Sequence, residues 1–207
     1  MAARKELLEI DDDDRREDHY VHLYGATWAD YERLQAIRRE SAVPRITYLD
    51  GLLEIMSPST DHEVIKSTIG CLVEVWCLEH DLEFTTFGSW TVKNKRRKAG
   101  AEADECWVIG PMPRARRLRL KRPDLAIEVV WTSGGINKLD VWRKLGVPEV
   151  WFWRRGLIRP YVLRRGRYEA VEQSVVLPRI DLELLTRFLD RPTTSRAIRD
   201  YRAALAR

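Results

Sequence analysis

The sequence predicts an α/β (α+β) fold, in which a mixed central sheet is flanked by helices and preceded by a β-hairpin. Three observations carry that expectation. First, Arg122 to Trp153 reads as apolar strand, short helix and apolar strand, a crossover of about the smallest size that joins parallel or near-parallel strands. Second, the segment RITYLDGLLEIMS alternates apolar and polar residues on either side of Asp50-Gly51, a strong hairpin signal. Third, Ile65, Ile69, Leu72, Val73 and Trp76 recur at helical spacing between Asp61 and His80, so a long helix buries that face.

The chain has 207 residues, 44% of them hydrophobic, enough for one sizeable core. Residues 1–19 include DDDDRRED and read as a charged tail, which leaves 20–207 as a single domain. Thr27 caps a short helix, TWADYERLQ, that ends before Pro44. Thr60 and Glu63 have the spacing of a capping box at the head of the long helix. Leu82 to Val92 then reads as one strand, KNKRRK at 93–98 as a turn, and Ala101 to Ile109 as a second strand carrying Glu102, Asp104 and Glu105. In the crossover, Thr132 or Ser133 can cap a helix starting around 134–136, and Gly146 ends it. A second hairpin turns at Arg165-Gly166, and DLELLTRFLD with SRAIRDYRAALAR forms one or two amphipathic helices.

Net charge, +4, decides little, but its distribution is uneven, with basic runs at 93–98 and 114–122 and scattered arginines from 154 to 167. Such runs are either phosphate-contacting patches or solvated loop tips, and Lys95, Arg96, Arg97 and Lys98 are the first candidates for contact with nucleic acid. No apolar stretch approaches the ~20 residues of a membrane helix, and the N-terminus lacks a signal-peptide core, so no membrane partner and a cytoplasmic location are expected. Cys71, Cys77 and Cys106 lack CxxC spacing, which argues against a disulfide framework or a cysteine zinc site and for buried, reduced thiols.

The chemistry is concentrated where strands carry acids. Alternation places Asp124, Ala126, Glu128 and Val130 on one face and Leu125, Ile127, Val129 and Trp131 on the other. A carboxylate on a buried strand needs a cation or a counter-charge, so a wet edge face and a metal site are the two readings. Hydrolysis of a phosphodiester uses a divalent cation held by hard oxygen ligands and a lysine that stabilises developing negative charge. Asp104, Glu128 and Lys138 supply such a set, and Glu63 can complete it from the long helix. Asp124 is the alternative ligand to Asp104, although ~13 Å of strand separates it from Glu128, too far for both to bind one ion directly. His62 either contacts phosphate or moves a proton, or is a capping or surface residue; position 66 is Lys66, so HExxH zinc chemistry is not supported.

The ordered motifs LDGLLEIMSPSTDHEVI, EADECWVI, PDLAIEVVWTS and, after a lysine, LGVPEVWFW resemble the Uma-type restriction endonuclease family of the PD-(D/E)XK nuclease superfamily, over roughly residues 46–168. The resemblance implies a restriction-endonuclease-like core over those residues, a divalent metal, Mg²⁺ or Mn²⁺, and a DNA substrate. It assigns catalytic and metal roles to Glu63, Asp104 and Glu128, and the catalytic lysine to Lys138. Two departures stand out: the superfamily's lysine two residues after the acid is Val130 here, and the usual Pro-Asp is Ala103-Asp104. Cutting two strands suits a two-fold homodimer. Against catalysis stand a non-catalytic nucleic-acid-binding module on the same fold and a partner-binding protein, for which the eight tryptophans would be core and interface.

Overall fold

The computed structural model describes residues 17–130 and 135–206. In chain order these form β1 (His19–Tyr24), α1 (Trp28–Arg38), β2 (Arg45–Leu49), β3 (Leu52–Ser57), α2 (Thr60–Glu79), β4 (Phe84–Thr86), β5 (Thr91–Asn94), β6 (Ala99–Glu102), β7 (Glu105–Ile109) and α3 (Arg114–Arg119). There follow β8 (Leu125–Val129), α4 (Lys138–Leu145), β9 (Glu149–Arg154), β10 (Leu157–Arg164), β11 (Arg167–Ala170), α5 (Leu182–Thr186) and α6 (Thr194–Leu205).

The strands build two sheets. One is antiparallel, in the order β1-β3-β2-β6-β5, and the other is mixed, in the order β11-β10-β9-β8-β7-β4. The mixed sheet contains the expected parallel pair, β8 with β9, joined through α4. Asp50 and Gly51 have φ of 47° and 98°, which the twist of the β2–β3 hairpin requires, and both residue types tolerate it. This hairpin lies at the middle of a full sheet, because β1 adds to β3 and β6 to β2.

Two segments expected as single strands are each divided. Residues 82–92 give β4 and β5, and 101–109 falls across β6 and β7, with the members of each pair in different sheets. Apolar content alone does not reveal such a crossing, because both halves remain β-like. Two residues of the segment expected as a charged tail belong to the fold: Asp18 is buried and His19 opens β1. The cap of α2 is Ser59, whose hydroxyl accepts from the backbone N–H of His62, so Thr60 and Glu63 form no capping box. Asn137 caps α4, which starts at Lys138; the alternative caps Thr132 and Ser133 lie outside the described residues. Gly146 ends α4 at φ 76°, in the left-handed region.

The alternation of β8 holds. Leu125, Ile127 and Val129 join Ile69, Leu72, Val73 and Trp76 of α2 in one core, which α5 and α6 close with Leu185 and Tyr201. Ala126 on the opposite face packs with Val141 and Trp142 of α4 and Val150 of β9. A third, smaller core joins Tyr31 of α1 to Ile46, Tyr48 and Leu53 of the antiparallel sheet. The expected burial of thiols is met by Cys77 and Cys106, while Cys71 is half-buried; all three are free. Burial pushes Cys77 and Cys106 up to about 12.

Two glycines make opposite predictions. A Cβ on Gly100 would lie 2.5 Å from the hydroxyl and 2.6 Å from a ring carbon of the fully buried Tyr31. Gly100→Ala should therefore lower stability by about 1–3 kcal/mol. A Cβ on Gly70, within α2, meets Glu105 at 3.5 Å, an ordinary contact. Gly70→Ala should raise stability by about 0.5–1 kcal/mol through helix propensity. Thermal unfolding of both variants checks the pair, and equal shifts of the same sign would contradict it. A second expectation concerns the thiols: at about pH 8, alkylation of the native protein should reach Cys71 far faster than Cys77 or Cys106, and mass spectrometry of the products reads the order.

Candidate active site

Asp104 sits where the chain passes from one sheet to the other. Its backbone N–H still donates to Ile127 O at 3.1 Å, so β7 stays paired with β8 to this point. Beyond it the strands diverge, and Asp104 Oδ2 accepts the Val129 N–H at 2.5 Å in place of a backbone carbonyl. The other oxygen, Oδ1, is ion-paired with the guanidinium of Arg45 and lies 3.0 Å from His62 Nε2.

Arg45 opens β2 and is 5% exposed, so its charge is neutralised by partners rather than by water. Besides Asp104 it donates to Glu63 Oε1 at 2.7 Å and lies 3.2 Å from His62 Nε2. His62 is completely buried, and its Nδ1 is 2.9 Å from Asp18 Oδ2. Burial pushes the His62 pKa down despite the neighbouring carboxylate. The neutral ring that satisfies both contacts donates from Nδ1 to Asp18 and accepts from Arg45 at Nε2. Burial alone would raise the Asp18 pKa, but the His62 hydrogen bond and the Ser59 N–H at 2.8 Å bring it below the usual carboxylate range. His62 is thus buried between Asp18 and Arg45 rather than a surface residue, and it exposes no ring nitrogen to solvent.

A second cluster surrounds Lys138. Its ammonium donates to Thr47 Oγ1 at 2.7 Å and lies 3.1 Å from Glu54 Oε1. Thr47 and Glu54 are cross-strand partners on β2 and β3, and Glu54 faces His22 on β1, so one row across three strands builds the cradle. Glu54 Oε2 also meets His22 Nε2 at 3.0 Å and accepts the Ile136 N–H at 3.1 Å. Burial would raise the Glu54 pKa, but the Lys138 charge and these hydrogen bonds hold it below its ordinary value.

Glu128 lies between the clusters, 5% exposed, with Oε1 accepting from Trp142 Nε1 at 2.9 Å. Burial raises its pKa, against the opposing charges of Lys138 and Arg45. Lys138 lies near enough to this carboxylate for its charge to oppose the rise, and Trp142 is hydrogen-bonded to the acid itself. Asp104, Glu128, Glu54, Arg45 and Lys138 all line one cavity of about 770 Å³, whose outer wall carries Arg154, Arg155, Arg159 and Tyr161.

The remaining candidates lie elsewhere. Glu63 is 40% exposed at its side chain, bridges Arg45 and Lys66, and does not line the cavity. Asp124, the alternative ligand, accepts from the Ile109 N–H at 2.9 Å and from Arg116 at 3.1 Å, and does not line the cavity. Lys95, Arg96, Arg97 and Lys98 form an exposed turn at the far end of β6, about 16 Å of strand from Asp104. Arg97 there donates to Lys144 O at 2.9 Å, near the C-terminal end of α4.

A metal ligand set of Asp104, Glu128 and Glu63 is thus not assembled, and among the described residues no three carboxylate, histidine or cysteine side chains form a metal-binding group. Asp104 and Glu128 are hard oxygen donors on one cavity, which fits an ion held by one or two protein carboxylates, but Arg45 occupies Asp104 and would have to leave it. The residues missed from the sequence are Arg45, Glu54, Thr47 and Asp18. Each belongs to a pairing between distant segments, and only the polar residues punctuating otherwise buried strands hinted at them.

A mixed α/β fold with a parallel β8–α4–β9 crossover, and acids on β8 and at the β6–β7 junction, defines a protein of the restriction-endonuclease-like class. The Uma2 family model, described as "Putative restriction endonuclease", matches residues 28–191, and the chain belongs to that family. No curated protein matches it in sequence. No helix among the described residues is long and apolar enough to cross a membrane.

The Arg45 network makes a stability prediction. Arg45→Met leaves Asp104 buried without its cation and should cost about 3–5 kcal/mol. The double variant Arg45→Met/Asp104→Asn should cost clearly less than the sum of the two single changes, since the stranded charge is gone. Urea unfolding of the four proteins in chelator provides the cycle, and strict additivity would mean that the pair is not coupled.

Proposed function

We propose that this chain is a metal-dependent DNA endonuclease of the PD-(D/E)XK type that hydrolyses phosphodiester bonds, with Asp104, Glu128 and Lys138 as its catalytic groups. The observation that carries this reading is the convergence of two buried carboxylates and a lysine on one cavity, in a chain of the Uma2 family. Asp104 and Glu128 would hold the ion, Mg²⁺ or Mn²⁺. Bound there, such an ion supplies Lewis-acid polarisation of the phosphoryl oxygen and a water of lowered pKa.

The chain's own residues have separable tasks in this proposal. Lys138, held between Thr47 and Glu54, presents a fixed positive charge to the phosphoryl oxygens as negative charge builds up on them. Trp142 orients Glu128 through its indole N–H. Arg45, when it leaves Asp104, still has Glu63 to pair with, so Glu63 acts in this proposal as a resting place for the arginine rather than as a ligand. The exposed run 95–98 meets phosphates of the same DNA farther along. A cytoplasmic setting and a two-fold homodimer that cuts both strands belong to the same proposal.

A second reading is favoured by one specific observation: both oxygens of Asp104 are already satisfied within the protein, Oδ2 by the Val129 N–H and Oδ1 by Arg45. On that reading the chain binds nucleic acid without cutting it, and Asp104 is structural. Cleavage of supercoiled plasmid separates the two. The endonuclease reading expects nicked or linear product with Mg²⁺ or Mn²⁺, none with chelator, and none from Asp104→Asn or Glu128→Gln, whose Mn²⁺ affinity by calorimetry should also fall. Plasmid left intact by the wild-type protein with both metals, and unchanged metal affinity in both variants, would favour the second reading.

Lys138 provides a sharper test. Lys138→Met should lower single-turnover cleavage at saturating metal by two or more orders of magnitude, on the order of 2.7–4 kcal/mol of transition-state stabilisation. Lys144 pairs with Asp50 at 2.5 Å at the other end of α4, and Lys144→Met should change cleavage little. A fully active Lys138→Met protein would remove the lysine from the mechanism.

A further inference from the structure

The wall of the cavity beyond the acids is laid out by strand register. Glu128 on β8 is aligned with Phe152 on β9, and Phe152 with Arg159 on β10, so one row runs from the acid through an aromatic ring to a guanidinium. The next row inward carries Tyr161 opposite Val150, and the next row outward carries Leu157 opposite Arg154. Because side chains alternate along a strand, all of these share the face that bears Glu128. Phe152 and Tyr161 are half-buried, with ring centroids 5.5 Å apart and edges to faces, while Arg154 and Arg159 are exposed and Leu157 is 68% exposed. Among the described residues neither arginine is ion-paired with a carboxylate. Among the described residues this half-buried aromatic floor is therefore edged by uncompensated positive charge.

We propose that this floor is a platform for single-stranded DNA, which feeds an unpaired strand to the acids. The inference rests on the endonuclease reading for its direction, but the platform itself is a binding surface. Asp104 and Glu128 are 2% and 5% exposed and lie within the cavity, so a phosphate reaches them only by entering it. A cavity of about 770 Å³ is within the ~300–1,000 Å³ of sites that take up one small molecule, room for a single nucleotide beside the acids. Stacking on aromatic rings beside a guanidinium is the usual way an unpaired base is held without sequence preference. Arg159 stands two strand spacings, about 10 Å, from Glu128, within reach of a phosphate next to the one at the acids.

The test is binding in chelator, so that cleavage does not enter. Fluorescence anisotropy of the full chain with a labelled oligodeoxythymidine of about 16 nucleotides, and with a blunt duplex of the same length, should show the single strand bound at least about tenfold more tightly. Tyr161→Ala should weaken single-strand binding at least about fivefold, and Tyr161→Phe, which keeps the ring, should restore it. Arg159→Ala should lower the salt slope by about 0.7 on the single strand. Duplex bound as tightly as single strand, or Tyr161→Ala indistinguishable from wild type, would overturn the platform. A protein that binds single strands through Tyr161 and never cleaves fails the endonuclease reading and keeps this one. One that cuts intact duplex plasmid but shows no single-strand preference does the reverse.

Discussion

The pairing of Arg45 with Asp104 is the constraint around which this structure is arranged. An ionised carboxylate at 2% exposure is tolerable only beside a matching charge and a full set of hydrogen-bond donors. The fold meets that need from several directions: β2 supplies Arg45, β8 supplies a backbone N–H, the start of α2 holds the arginine through His62 Nε2, and the segment before β1 steadies His62 with Asp18. Those contacts tie the antiparallel sheet to the mixed one at the point where the chain crosses between them. Displacing the network would loosen the junction as well as the site.

The same arrangement explains how one cavity can hold Glu54, Asp104 and Glu128 with all three acids buried. Each acid has its own donor: Lys138 for Glu54, Arg45 for Asp104, the Trp142 indole for Glu128. The raised pKa of Glu128 and the lowered pKa of Glu54 follow from this division. Glu54 has a cation within 3.1 Å and two further hydrogen-bond partners, whereas Glu128 has one neutral donor and more distant positive charges. Glu54 and Asp104 are thus each paired with a cation, and any added cation must compete with Arg45 for Asp104.

How much of this was legible beforehand differs from element to element, for a physical reason. Local signals served well: the alternation of β8, the Asp50-Gly51 turn, the apolar stripe of α2, the Thr27 cap and Gly146 at the end of α4 all depend on neighbours within a few residues. The acids of β8 and of the β6–β7 junction were visible because a carboxylate within an apolar run is anomalous on its face. Lys138 stood out only because Val130 occupies the position where a lysine was expected.

The sequence by itself determined the fold class, the crossover, the family and the two carboxylates that open on the cavity, since each is written in short-range pattern or in an ordered set of motifs. Tertiary structure alone decided what those carboxylates touch. Arg45, Glu54, Thr47 and Asp18 reach the site through pairings with distant segments, and the sheet crossings at 87–90 and 103–104 leave both halves equally β-like in sequence. It also decided that Asp124, the alternative ligand, pairs with Arg116 outside the cavity, and that His62 is buried. Charge compensation in a core is a property of neighbours in space, so a sequence can show that a buried acid needs a partner without showing which partner it finds.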